Sequence, residues 1–155
     1  MSLIVCRIIE VCVFRFVNDR TEYLMLKRSP AEKIYPDLWQ LVTGSLNDGE
    51  KAIDAALREL KEETGLTPDR FWVVPHVSTF YDPAYDAVNM SPLFAAQVSA
   101  GSEPTLSSEH SVHTWLPYAD ARRYLVWPGQ RAGLETVEKY IIDGEQAGVL
   151  TEIPL

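Results

Sequence analysis

Cysteine is scarce in this chain: two residues, Cys6 and Cys12, among 155. Both fall in one stretch that reads as a strand, where six residues of extended chain set them roughly 20 Å apart. That is far beyond disulfide reach. They read as two buried, reduced thiols, which suits a cytoplasmic location. Long apolar runs are also missing. None approaches the ~20 residues of a bilayer-spanning helix, and the N-terminus lacks the basic-apolar-small order of a secretory signal. Positive charge is short as well, with 14 Lys and Arg against 22 Asp and Glu and a formal net charge of -8. Proteins that bind nucleic-acid polymers carry a basic face, so this balance argues against such a partner. It leaves room for a small polyanion reached through divalent cations.

What is present suits one globular domain over residues 1–155: the chain is 46% hydrophobic and 23% charged, enough for a core and a solvated surface. Val5 to Val17 is almost continuously apolar and reads as a strand buried on both faces. Turn residues Asn18-Asp19-Arg20 lead to a second strand, Tyr23 to Arg28. A loop broken by Pro30 and Pro36 follows, then a short strand from Trp39 to Val42. Glu50 to Thr64 reads as a helix stopped by Gly65. Further strands are expected over Phe71 to Tyr81, Asn89 to Val98 and His110 to Leu116. A short helix from Pro117 to Leu125 and an amphipathic one from Gln130 to Ile142 end the pattern. Leu134, Val137 and Ile141 form the apolar side of the last helix. Strands and helices mix without regular βαβ alternation, so the expected class is α/β with helices packed on a mixed sheet.

The stretch from Gly44 to Leu66 organises the rest. At 100° per residue, Ile53, Ala56, Leu57, Leu60 and Thr64 share one arc of the helix and form its core stripe. Glu59, Glu62 and Glu63 share another, related by i,i+3 and i,i+4 spacing, so their carboxylates can converge. Like charges at this spacing destabilise a helix, the more so near its C-terminal end. A solvated acidic face is the ordinary reading of such a cluster. A bound cation is the other. Carboxylate oxygens suit Mg²⁺ or Mn²⁺, and a helix without His or Cys argues against zinc.

The spacing decides between them. Gly44, five residues, Glu50, seven residues, Arg58-Glu59, Leu60, one residue, Glu62-Glu63, one residue, Gly65-Leu66 resembles the defining signature of the Nudix hydrolases at every fixed position. At ordinary residue frequencies a chance match is on the order of one in a million. The resemblance implies an α/β/α sandwich around a mixed sheet. It implies Glu59, Glu62 and Glu63 as metal ligands, joined by a backbone carbonyl near Gly44, with Glu62 and Glu63 catalytic. It implies a Glu50–Arg58 ion pair bracing loop against helix. The implied reaction is Mg²⁺-dependent hydrolysis of a phosphoanhydride in a small nucleoside or pterin polyphosphate, by a soluble protein with room for a homodimer.

Two outer segments are similar to the dihydroneopterin triphosphate pyrophosphatase branch. They are Trp39-Gln40-Leu41-Val42-Thr43-Gly44-Ser45 and Glu109-His110-Ser111-Val112-His113-Thr114-Trp115-Leu116. The resemblance implies release of pyrophosphate from dihydroneopterin triphosphate or a dATP-like dNTP. It makes Glu109 the candidate for an extra metal ligand or general base, with His110 and His113 as rivals. Arg28 could hold a phosphate bidentately, Gln40 could read a base or pterin edge, and Tyr81 or Tyr85 could stack on it. Trp39 reads as core. An ADP-ribose or dinucleoside polyphosphate hydrolase is the alternative within the family. A non-catalytic nucleotide-binding module fits less well, because all three glutamates are retained.

Overall fold

The structure is a computed structural model that describes residues 1–144 and 146–155. Strands β1 (Leu3–Val5), β2 (Ile8–Val17), β3 (Arg20–Arg28), β4 (Trp39–Gln40) and β5 (Val42–Ser45) lead into helix α1 (Ala52–Thr64). Strands β6 (Arg70–Asp82), β7 (Ala87–Gln97) and β8 (His110–Leu116) follow, then α2 (Tyr118–Tyr124), α3 (Pro128–Thr136) and a π-helical turn (Val137–Ile142). A short α4 (Ala147–Thr151) and strand β9 (Glu152–Ile153) close the chain.

The sheet is mixed. Strands β2 and β7 run parallel, whereas β2–β3, β3–β8 and β6–β7 are antiparallel. Alternation in β2 explains the three-layer architecture. Ile9, Val11 and Val13 point to one face and meet Ala55, Ala56 and Leu60 of α1 in one core. Cys12 and Phe14 point to the other, where Leu134, Val137 and Ile141 close a second core. The apolar side expected of the last helix is thus buried as a unit.

Strand β2 pairs with β5 along its first half (Ile8↔Ser45 to Val11↔Val42) and with β3 along its second (Phe14↔Tyr23 to Val17↔Arg20). Strand β3 in turn takes β4 at its far end, Leu26 opposite Gln40. Residues 39–45 therefore cross a splay between β2 and β3, and they carry Gln40 and Gly44 to the same side as α1.

Several sequence expectations need correction. The strand expected from Val5 to Val17 is broken at Cys6-Arg7, because β1 leaves β2 to pair in parallel with β7, Leu3 opposite Ala87. Cys6 consequently lies in the break and is exposed; only Cys12 is buried. The strand expected over Trp39 to Val42 is two pieces separated at Leu41. The helix expected as Gln130 to Ile142 starts earlier, with Pro128 in its first turn, and becomes π-helical from Val137.

Candidate active site

Helix α1 is set by its ends. Gly65 adopts a left-handed conformation (φ 69°) and its N–H caps the Lys61 carbonyl, a geometry glycine accepts without Cβ strain. At the other end the helix has no side-chain N-cap. The loop before it is held by Arg58 instead. All five guanidinium donors of Arg58 are used. Nε and Nη2 form a bidentate pair with Glu50 at 2.8 Å each. Nη2 also donates to the Ser45 carbonyl at 2.8 Å. Nη1 reaches Glu59 at 2.8 Å and Glu62 at 3.2 Å. The Arg58 guanidinium holds the Glu50 carboxyl down to about 2. The expected Glu50–Arg58 brace is present in the structure.

The three glutamates sit in different environments. Glu62 is open to solvent, its side chain 58% exposed. Glu59 is mostly covered and lies directly over Gly44: a Cβ at that position would collide with Glu59 Cγ and Cδ. Burial raises its pKa, and the Arg58 hydrogen bond opposes that rise. Glu63 is buried, and neither of its carboxylate oxygens has a hydrogen-bond partner. Burial first, then the neighbouring charges of Glu59 and Glu109, push its acid up to about 9.

Glu109 adds its charge to this group. The connection before β8 runs along the C-terminal turn of α1, with Thr105 N–H donating to the Thr64 carbonyl at 2.8 Å and Ser107 N–H to the Glu63 carbonyl at 3.3 Å. Its last residue, Glu109, is exposed, and its backbone carbonyl accepts from Ser29 N–H at 2.8 Å. Glu59 thus feels the charges of Glu62 and Glu109, and Glu63 those of Glu59 and Glu109, with Arg58 as the adjoining cation. Two of the four are covered from water. Such an arrangement favours whatever lowers negative charge, either a proton or a cation. Glu59 and Glu62 are turned to Arg58. Among the described residues no three acidic, imidazole or thiol groups already stand as a finished cation cage. Glu62 can rotate away from Arg58 because its side chain is exposed, and the unpartnered Glu63 oxygens fit a hard divalent cation.

The outer candidates separate. His110 is buried behind Glu63, with its Nε2 2.9 Å from Nε2 of the buried Gln40. Burial, reinforced by the Arg28 charge, lowers its pKa to about 4. The Gln40 amide is therefore committed to His110. Arg28 donates to the Ile34 carbonyl at 2.9 Å and pairs with Glu32 at 3.4 Å, so it anchors the 29–37 loop. His113 pairs with Glu103 at 3.2 Å on the edge of β8. Tyr81 is exposed and donates to Asp86 at 3.1 Å, while the Tyr85 ring lies under Arg7. No hydrogen bond connects either tyrosine to the glutamates among the described residues. Trp39 packs against Tyr124, ring centroids 5.1 Å apart, at the second core.

Reading the sequence does not single out Glu10 or Gln130, yet both are buried and joined through Gln130 Nε2 and Glu10 Oε2 at 2.7 Å. A lone acid inside a run expected to be buried on both faces was the available signal.

Comparison with known proteins identifies the family. The NUDIX domain matches residues 7–137. The chain belongs to the NUDIX family, hydrolases of phosphoanhydrides. A nucleoside triphosphatase NudI of Escherichia fergusonii is 30% identical over 128 residues, covering 78% of this chain and 85% of that protein. The dihydroneopterin triphosphate diphosphatase of Escherichia coli is 44% identical over 60 residues, 39% of this chain and 37% of that one. An octanoyltransferase of Myxococcus xanthus is 30% identical over 140 residues, 86% of this chain, which spans just 36% of that protein's length. The fold superposes on the Ap4A hydrolase of C. elegans with a TM-score of 0.74 at 21% identity, covering 90% of this chain and 99% of that chain. Among the described residues no helix is long and apolar enough to cross a membrane.

Proposed function

We propose that this protein is a Mg²⁺-dependent pyrophosphohydrolase that cleaves a nucleoside or pterin triphosphate to the monophosphate and pyrophosphate. The observation that carries this reading is the buried Glu63 carboxyl, without a hydrogen-bond partner and flanked by Glu59 and Glu109. A buried acid in that state is costly unless a cation or proton completes it. Glu59, Glu62 and Glu63, with the Gly44 carbonyl, would hold the cation. Mg²⁺, or Mn²⁺ in its place, supplies charge neutralisation at the phosphates and acidifies water.

The protein's own groups do the rest. Glu109, exposed at the mouth of the cluster, takes the proton from the attacking water, for which a carboxylate must come within about 3 Å. Arg58 keeps Glu59 and the 45–50 loop in place. His110 is held neutral by burial and adds no charge beside Glu63. Pterin and nucleoside substrates share the triphosphate that this site addresses. The similarity to the dihydroneopterin triphosphate diphosphatase, concentrated in 60 residues, supports a pterin as one of them.

The test is product analysis with Mg²⁺ over dNTPs, dihydroneopterin triphosphate, ADP-ribose and dinucleoside polyphosphates. Phosphate that is released only when inorganic pyrophosphatase is added marks pyrophosphate as the product. AMP with ribose phosphate, or ATP with AMP, would identify an ADP-ribose or dinucleoside polyphosphate hydrolase and reject the proposal.

A further inference from the structure

The connection between β7 and β8, residues 98–109, has no strand or helix of its own and carries Glu109 at its end. Connections of about a dozen residues without secondary structure tend to serve function, and a side chain on one is placed only as well as the connection is tied down. One set of ties runs to α1, through the Thr105 and Ser107 amides on the Thr64 and Glu63 carbonyls. Leu106 packs against the core between them. The other runs to the sheet, through Arg15.

Arg15 follows Ile9, Val11 and Val13 on the α1 face of β2 and stands opposite Glu22 of β3. Its Nε donates to Glu22 at 2.7 Å. Its Nη1 donates to the Ser102 carbonyl at 2.8 Å and to Glu103 Oε1 at 2.9 Å. The guanidinium lies over the Trp115 ring of β8, 4.0 Å from its centroid, and the Arg15 side chain is 11% exposed. A planar fork stacked in this way loses little freedom when it bonds. Glu103 turns its other oxygen to His113 of β8, 3.2 Å from Nε2. A carboxylate only accepts hydrogen bonds, so Nε2 holds the proton there. Arg15 first, then His113, keep the Glu103 carboxyl below its ordinary range. One carboxylate of the connection therefore joins two strands, β2 and β8.

An exposed ion pair adds little to global stability, and the Glu103 side chain is 60% exposed. Its place in the chain gives it another use. Pro104 follows directly and restricts the backbone at that step. From there the chain runs along the last turn of α1 to Glu109, whose charge both Glu59 and Glu63 feel. Resting on the proposed role of Glu109 as proton acceptor, we infer that Arg15 and Glu103 are positioning residues of the reaction. Their clasp fixes the start of the segment that ends in Glu109, and so sets the place of that carboxylate relative to α1. Among the described residues no hydrogen bond joins Arg15 or Glu103 to the glutamates of α1, so the effect passes through the segment.

The experiment measures kcat and KM for the dNTPs with Mg²⁺ in the wild-type chain, Glu103→Gln, Glu109→Gln and the double variant. Amide hydrogen exchange is followed at Thr105 and Ser107 in the metal-free protein. Glu103→Gln is expected to lower kcat by about 10- to 100-fold, the cost of an ångström-scale displacement, with KM held within about twofold. Exchange at the two amides should quicken by about 10-fold or more, because local opening becomes easier. The double variant should turn over within about twofold of Glu109→Gln alone, since Glu103 acts through Glu109. A further fall of about 10-fold in the double variant, or an unchanged kcat in a folded Glu103→Gln, overturns the inference. Should Glu103→Gln fail to fold, Arg15→Lys takes its place with the same expectation. It keeps a charge beside Glu22 but loses the fork that spans Glu22 and Glu103. Absence of any triphosphate hydrolysis in the wild type rejects the proposed function alone. Faster exchange in Glu103→Gln would then still uphold the clasp on the Glu109 segment, and unchanged exchange would overturn it.

Discussion

Nδ1 of His110 lies 4.0 Å from Oε2 of Glu63, and both atoms are buried without a hydrogen-bond partner. Near neutral pH burial keeps both uncharged, the acid with its proton (pKa about 9) and the imidazole without one (pKa about 4). A cation at Glu63 must displace that proton.

The pH dependence follows from the sign of the Glu63 shift. Its folded pKa, about 9, stands above the ordinary 4.5. The folded state therefore holds a proton that the unfolded chain releases, and stability is fully present below pH 4.5 and lost as pH rises towards 9. Below about pH 6.5 the lowered pKa of His110, about 4 against an ordinary 6.5, offsets this trend, so metal-free protein should melt at progressively lower temperature from about pH 6.5 towards 9. Mg²⁺ should raise the melting temperature more at pH 8.5 than at pH 6, because fewer protons compete. Glu63→Gln should flatten the metal-free profile; an equally steep profile in that variant would assign the pH dependence to another group.

Replacing a glutamate of the cluster separates binding from folding. Glu62→Gln should lower kcat by about 100-fold or more, since the charge neutralisation a metal supplies amounts to several kcal/mol. Its melting temperature without metal should hardly change, because the side chain is exposed. Full turnover in Glu62→Gln would remove this helix from the reaction.

Glu109→Gln tests the proton acceptor. The rate should fall by about 100-fold or more, within the range for general base catalysis, while calorimetry with Mn²⁺ shows binding at the helix retained. Loss of Mn²⁺ binding would instead make Glu109 a ligand, and an unchanged rate would exclude it from both roles.

Gly44→Ala should be as damaging as a change to a charged residue. The added methyl meets Glu59 Cγ and Cδ, so Glu59 must move by about an ångström. A displacement of that size costs on the order of 100-fold in rate. Wild-type kinetics in Gly44→Ala would show that Glu59 can leave the strand at no cost.

Much of this was legible in the chain because its signals are local. Motif spacing, the glycine stop after Thr64 and period-two strands all lie within a few residues of what they specify. The Glu50–Arg58 brace is of this kind. Partnerships between distant segments were not legible. Nothing near Cys6 announces that β1 pairs with β7, more than 80 residues away, and so the first strand looked continuous. Gln40 looked free to meet a base because His110 reaches it from 70 residues downstream. Arg28 looked free for phosphate until the loop it holds was in place.

Residues 39–45 act as a ruler. Because they cross from β3 to β2 with paired strand at both ends, one inserted or deleted residue would turn Gly44 to the wrong face and remove the floor beneath Glu59.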